Sequence, residues 1–137
     1  MNDRYLDQIE QNNRLLAEWR KYGSIIVAYD FDDTVFDYHK RGDTYVRLVD
    51  LLRRAEKLGA FLIVFTGCSQ ETILSTVRPY LRNNQIPFQN INEDGPVKSE
   101  SRKIYFNILL DDRAGLVSAF ETLRNAVETL EETPTKF

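Results

Sequence analysis

Three acids and a hydroxyl follow directly on an apolar run, in the stretch Ile25-Ile26-Val27-Ala28-Tyr29-Asp30-Phe31-Asp32-Asp33-Thr34. Residues two apart in an extended chain project to the same side, so Asp30 and Asp32 can face one small volume while Phe31 turns away. Two carboxylates held together repel each other. The usual remedy is a hard divalent cation with oxygen ligands, and Mg²⁺ suits one or two carboxylates plus a substrate phosphate. A carboxylate can also attack phosphorus in line, giving an aspartyl-phosphate and dividing one hard step into two. Asp30 is thus the expected nucleophile, and Asp32 the expected general acid and then base. The plainer alternative is a strand end followed by an acidic, helix-capping turn.

Two further apolar runs end in polar groups of the kind such a site needs. Ala60–Phe65 leads into Thr66-Gly67, and Ile104–Leu110 leads into Asp111-Asp112-Arg113. Asp111 and Asp112, paired at a buried strand end, are costly unless something cationic joins them. Thr66 can donate a hydroxyl to a phosphate oxygen. Lys103, just before the last strand, can supply a point charge, a role for which Lys98 competes. Thr34, Gly67, His39 and Arg41 complete the candidates as substrate-binding residues. His39 and Arg41 lie in a polar, aromatic, aperiodic stretch, 36–42, that reads as a loop or small flap beside the acids.

Strands buried on both faces of a parallel sheet read as continuous apolar runs, and ligands bind outside their carboxyl ends. Strands are expected at 25–29, 60–65, 87–91 and 104–110. Between them the apolar spacing predicts helices: over 3–22, from Asp43 or Thr44 as cap to a stop at Gly59, and from Ser69 as cap with a break or kink at Pro79. A last helix carries Leu116, Phe120, Leu123, Val127 and Leu130. The tail 133–137 is expected to fray. This alternation predicts an α/β fold: a Rossmann-like three-layer sandwich with a mainly parallel sheet and helices on both faces.

A length of 137 residues allows one domain and no separate cap, and 42% apolar content suits a packed core. With a net charge of −3 and a pI near 5.2, the chain has no basic field for sequence-specific nucleic-acid binding. Its one cysteine, Cys68, cannot form an internal disulfide. No signal-peptide pattern or membrane-length apolar run is visible, so a cytoplasmic protein is expected.

The residues Asp30, Asp32 and Thr34 resemble the first motif, hhhhDxDxT, of the haloacid dehalogenase (HAD)-like hydrolase superfamily; the residue before the Thr is Asp33, where members usually carry Gly. In the same resemblance Thr66 matches the second motif, Lys103 the third and Asp111-Asp112 the fourth, in order across residues 25–113. Ser101-Arg102-Lys103 and Leu110-Asp111-Asp112-Arg113 are similar to elements of small capless bacterial or phage members. The resemblance implies a Rossmann-like sheet with the first-motif strand central, and phosphatase or phosphotransferase activity. It also implies Mg²⁺, held by Asp30, the backbone carbonyl of Asp32 and one or both of Asp111 and Asp112.

The expected substrate is a small-molecule phosphate ester, with a weak preference for a nucleotide or another group that an open site admits. A second copy of the chain, in a homo-oligomer, could cover that site. The competing readings are a receiver-like domain and a non-catalytic phospho-binding module. A receiver orders its parts differently, with acids early, the acceptor Asp mid-chain and Thr and Lys late, whereas here Thr66 precedes Lys103 and the late acids come last.

Overall fold

The computed structural model describes residues 3–132; the tail expected to fray at 133–137 lies outside them. A 3₁₀ turn, Arg4–Leu6, precedes helix α1, Gln8–Tyr22. The helix starts at Gln8 rather than residue 3 because Asp7 caps it, its carboxylate accepting from the Ile9 and Glu10 amides. Gly23, at φ 75°, ends it. Leu15 and Trp19 are buried, whereas Tyr5 and Ile9 remain exposed.

Strand β1, Ile26–Tyr29, follows, and then helix α2, Val46–Lys57. The expected caps of α2 do not form. Tyr45 takes the N-cap position with a left-handed backbone, φ 55°, and no side chain bonds the first turn. Strand β2 is Phe61–Val64. Ser69 caps helix α3, Gln70–Thr72, as expected, accepting from the Thr72 amide at 3.2 Å. The helix does not stop at Pro79. It widens into a π turn, Ile73–Val77, and re-forms as α4, Arg78–Asn83, because the wider turn accommodates a ring that would clash with a regular one. Strands β3, Asn90–Ile91, and β4, Ile108–Leu110, precede the last helix, α5, Leu116–Glu132.

The four strands form one all-parallel sheet in the order β3-β2-β1-β4, so the fold is the expected α/β, Rossmann-like class with β1 in the interior. The helices expected on both faces instead gather on one, because β1, β2 and β3 step in one direction with crossovers of one hand. Buried residues of every helix longer than one turn cluster with the face carrying Val27, Tyr29, Leu62, Val64, Ile108 and Leu110. The opposite face holds a smaller cluster, Ile26 and Ile63 with Ile104, flanked by Phe61 and Phe106, and is closed by the loop leading to β4. Gly95 sits in that loop against Phe61, whose ring an added Cβ would meet at 2.9 Å.

Both edge strands are shorter than the apolar runs that announced them, for one physical reason. At the start of β4 the Asn107 side chain takes over the ladder, Oδ1 accepting from the Ile26 amide at 2.7 Å while the Asn107 amide donates to the Ile26 carbonyl. Gln89 does the same before β3, its Oε1 accepting from the Leu62 amide at 2.6 Å. Ile104–Phe106 is thereby released to cover the second face. Among the described residues no helix is long and apolar enough to cross a membrane.

Asn107 also donates to Glu18 Oε1 at 2.9 Å, linking the sheet to α1. Asn107→Ala strands the buried Ile26 amide, and a lost partner of that kind costs about 1–3 kcal/mol. Urea unfolding of the variant beside wild type should show a lower midpoint at an unchanged slope.

Candidate active site

Register decides where the acids go. Tyr29 pairs with Val64 on one side and with Leu110 on the other, so β2, β1 and β4 end level. The Asp30 amide then donates to the Leu110 carbonyl and the Phe65 amide to the Tyr29 carbonyl. Asp30 therefore emerges beside Asp111. Carboxylate oxygens of Asp30, Asp111 and Asp112 all lie within 4.8 Å of one another.

Thr34 locks this arrangement from below. Fully buried, its hydroxyl stands 3.4 Å from Asp30 Oδ2 and 3.4 Å from Asp112 Oδ1, and it accepts from the Asp112 amide at 3.3 Å. This hydroxyl holds the carboxylates in place; it is not exposed to a substrate, as the sequence reading had it. The chain reaches Thr34 through a tight turn in which the Val35 and Phe36 amides both donate to the Phe31 carbonyl. Asp33, at φ 56°, supplies the left-handed residue that this turn requires. Phe31 turns away as expected and packs in the core against Phe36 and Tyr80, with ring centroids 4.9 and 5.7 Å away.

Asp33 anchors the flap as well. Its carboxylate accepts from the His39 ring and the His39 amide, while Asp37 accepts from the Arg41 and Gly42 amides at 3.0 and 2.8 Å. Desolvation pushes the Asp33 carboxyl up, but the hydrogen bonds and charge of His39, with help from Arg41, outweigh it and hold the group low. Tyr38 contacts His39 edge-on, with ring centroids 5.0 Å apart.

Together these groups line a cavity of about 310 Å³: Asp30, Asp32, Asp33, Asp111 and Asp112 as its acidic part, with Tyr38, His39 and Arg113 around it. Burial pushes the Asp30 carboxyl up to about 7, reinforced by the charge of Asp111 and a hydrogen bond shared with Asp112. Asp32 is raised too, first by burial and then by the charges of Asp33 and Asp112, against the opposing pull of His39.

The other expected residues fall further out. Thr66 sits just past β2; its backbone is held by the Asn92 side chain and its hydroxyl accepts from the Cys68 amide, leaving the hydroxyl proton uncommitted. Thr66, Gly67 and Arg41 do not line the acidic cavity. Lys103 and its competitor Lys98 both line a different cavity, with Val97, Ser101 and Tyr105. Among the described residues Lys103 makes no ion pair. Arg113, present in the sequence as the last residue of Asp-Asp-Arg but unassigned there, lines the acidic cavity. Its place follows from β4 ending level with β1.

No protein-family model matches the chain, and no curated protein matches it. A solved structure of a conserved protein from Bacteroides thetaiotaomicron is similar in fold, with a TM-score of 0.59 and 24% sequence identity over 82% of this chain and 93% of that one.

Three carboxylates converging on one point, with one of them pushed toward neutrality, fit a hard divalent cation by the chemistry of the donors. Between about 3.8, the ordinary value, and about 7 the folded chain keeps an Asp30 proton that the unfolded chain has released. The stability this group contributes is therefore complete below about pH 3.8 and lost as pH rises through about 7. In chelator, Asp30→Asn should flatten the fall in melting temperature between pH 5 and 8. Added Mg²⁺ should raise the wild-type melting temperature more at pH 8 than at pH 5.

Proposed function

We propose that the chain is a Mg²⁺-dependent phosphomonoester hydrolase of the HAD-like type, acting through an aspartyl-phosphate on Asp30. The observation that carries this reading is the convergence of Asp30, Asp111 and Asp112 at the end of an interior parallel strand, with Asp32 two residues on and lining the same cavity. Asp30, Asp111 and Asp112 would hold the ion through side-chain oxygens. Asp32 is not in that carboxylate cluster, which suits the backbone-carbonyl role that the resemblance implies for it. When bound, the cation offsets the negative charge of carboxylate meeting phosphate.

Asp30, held at its inner oxygen by the Thr34 hydroxyl, attacks phosphorus in line. Asp32, its carboxyl raised above the ordinary value by burial, protonates the leaving oxygen and then takes a proton from the water that cleaves the acyl phosphate. Arg113 replaces Lys103 in this reading as the group that neutralises phosphate oxygens, because it lines the cavity and Lys103 does not.

Hydrolysis of 4-nitrophenyl phosphate tests the reading. Turnover should require Mg²⁺, disappear in Asp30→Asn and fall by about a hundred- to ten-thousandfold in Asp32→Asn. Activity that survives full metal removal, or that survives Asp30→Asn, rejects it. No turnover by wild type under any condition would leave a phospho-binding module of the same fold.

Arg113→Ala should lower kcat/KM by about a hundredfold, the scale of losing one charge-stabilising donor. Lys103→Ala should change it far less. The reverse ranking would return the role to Lys103.

A further inference from the structure

Tyr38 is an aromatic side chain left 58% exposed at the mouth of the acidic cavity, on a loop that is otherwise firmly held. The loop's base is bolted into the core: Phe36 stacks on Phe31 and meets Tyr80 edge-on, each at 4.9 Å. The Tyr38 amide donates to the Phe36 carbonyl at 2.8 Å, the Asp37 carboxylate gathers the Arg41 and Gly42 amides, and His39 is clamped to Asp33. His39 in turn supports the Tyr38 ring edge-on. The phenol makes no hydrogen bond among the described residues. An apolar face kept in water yet fixed in place gains little for the fold, whereas it spares a ligand the entropy of ordering it.

From this geometry we infer that Tyr38 is the specificity-determining residue of the proposed phosphatase and forms a stacking platform for a planar aromatic leaving group, so that aryl or nucleoside phosphates are its substrate class. The inference rests on the hydrolase reading for the site itself. A phosphate at Asp30 leaves its ester oxygen directed away from the nucleophile in an in-line attack, toward solvent and the cavity mouth. Tyr38 lines that same cavity. An aromatic leaving group can lie on the exposed ring, a contact open to any flat π surface and worth about tenfold or more in binding. A small alkyl leaving group has no such face to offer. His39 and Asp33 act through Tyr38 by holding it, and are positioning residues.

The test compares wild type, Tyr38→Phe and Tyr38→Leu on phenyl phosphate and on glycerol phosphate with Mg²⁺. Wild type should prefer the aryl ester. Tyr38→Leu, which keeps apolar bulk but loses the π face, should cut the aryl-over-alkyl ratio of kcat/KM by about tenfold, chiefly through KM. Tyr38→Phe should retain the ratio. A ratio unchanged in Tyr38→Leu overturns the inference, as does a wild type with no aryl preference. Calorimetric binding of phenylphosphonate against methylphosphonate separates the two readings, since neither is hydrolysed. If wild type turns over no ester but binds the phenyl compound more tightly, and Tyr38→Leu loses that preference, the platform stands and the hydrolase reading fails. Equal phosphonate affinities in wild type overturn the platform.

Discussion

The repulsion among Asp30, Asp111 and Asp112 is the constraint to which the rest of the structure answers. A parallel sheet in which β1 and β4 end level cannot keep these residues apart, because the register that pairs Tyr29 with Leu110 sets the next residue of each strand side by side. Apolar packing of β1, all four residues of which are buried, fixes that register. The favourable burial of Ile26–Tyr29 thus enforces an unfavourable gathering of charge. Local devices relieve it in part: the Thr34 hydroxyl between Asp30 and Asp112, the Arg113 amide donating to Asp111 Oδ1, the Phe31 amide bonded to Asp30, and retention of a proton on Asp30. An acidic cluster that a fold compels yet does not fully neutralise is consistent with the divalent cation proposed for it.

The turn after β1 shows how one residue can serve conformation and positioning together. A residue at φ 56° is costly for any side chain but least so for Asp, Asn and Gly. Glycine would relieve the strain and leave the flap unattached. Asp33 accepts the strain, and its carboxylate then ties down His39, with Tyr45 close enough that burial and the acids around it push its phenol up to about 12. With Asp rather than Gly at this position, the turn is not merely permitted but also holds the flap through His39.

How much of this was legible in the sequence divides along the range of the interactions. Strand β1, its acids, the loop after it, the Ser69 cap and the order of elements were legible because they depend on local pattern. The π turn at Ile73–Val77 was signalled by Pro79 as a break or kink, although not as a widening. The lengths of β3 and β4 were not legible, because Gln89 and Asn107 enter the ladder through side chains whose partners are 27 and 81 residues distant. Lys103 was chosen for its nearness in sequence to β4, yet the Ile104–Phe106 stretch leaves the sheet to cover its second face and draws Lys103 toward another cavity. Arg113 was in view as part of a motif. Its role depends on strand register, which no local pattern encodes. The proposed hydrolase chemistry rests on the site's donors rather than on kinship, since the similar structure at 24% identity shows the fold alone.

The same geometry explains why a chain of this size can present a site without a lid. Every residue lining the acidic cavity comes from 30–39 or from 111–113, which are two strand ends and the loop attached to one of them. A site assembled from strand ends inherits the rigidity of the sheet, so its acids need no closing motion to be brought together. What a lid would add is exclusion of water and a grip on the leaving group. The flap can provide only the second, through a ring held at the rim by Asp33 and His39. Water stays at hand, which suits a reaction whose second step consumes it and would hinder transfer to any other acceptor. An open, rigid, acid-lined edge therefore favours hydrolysis over phosphotransfer within the chemistry proposed for it.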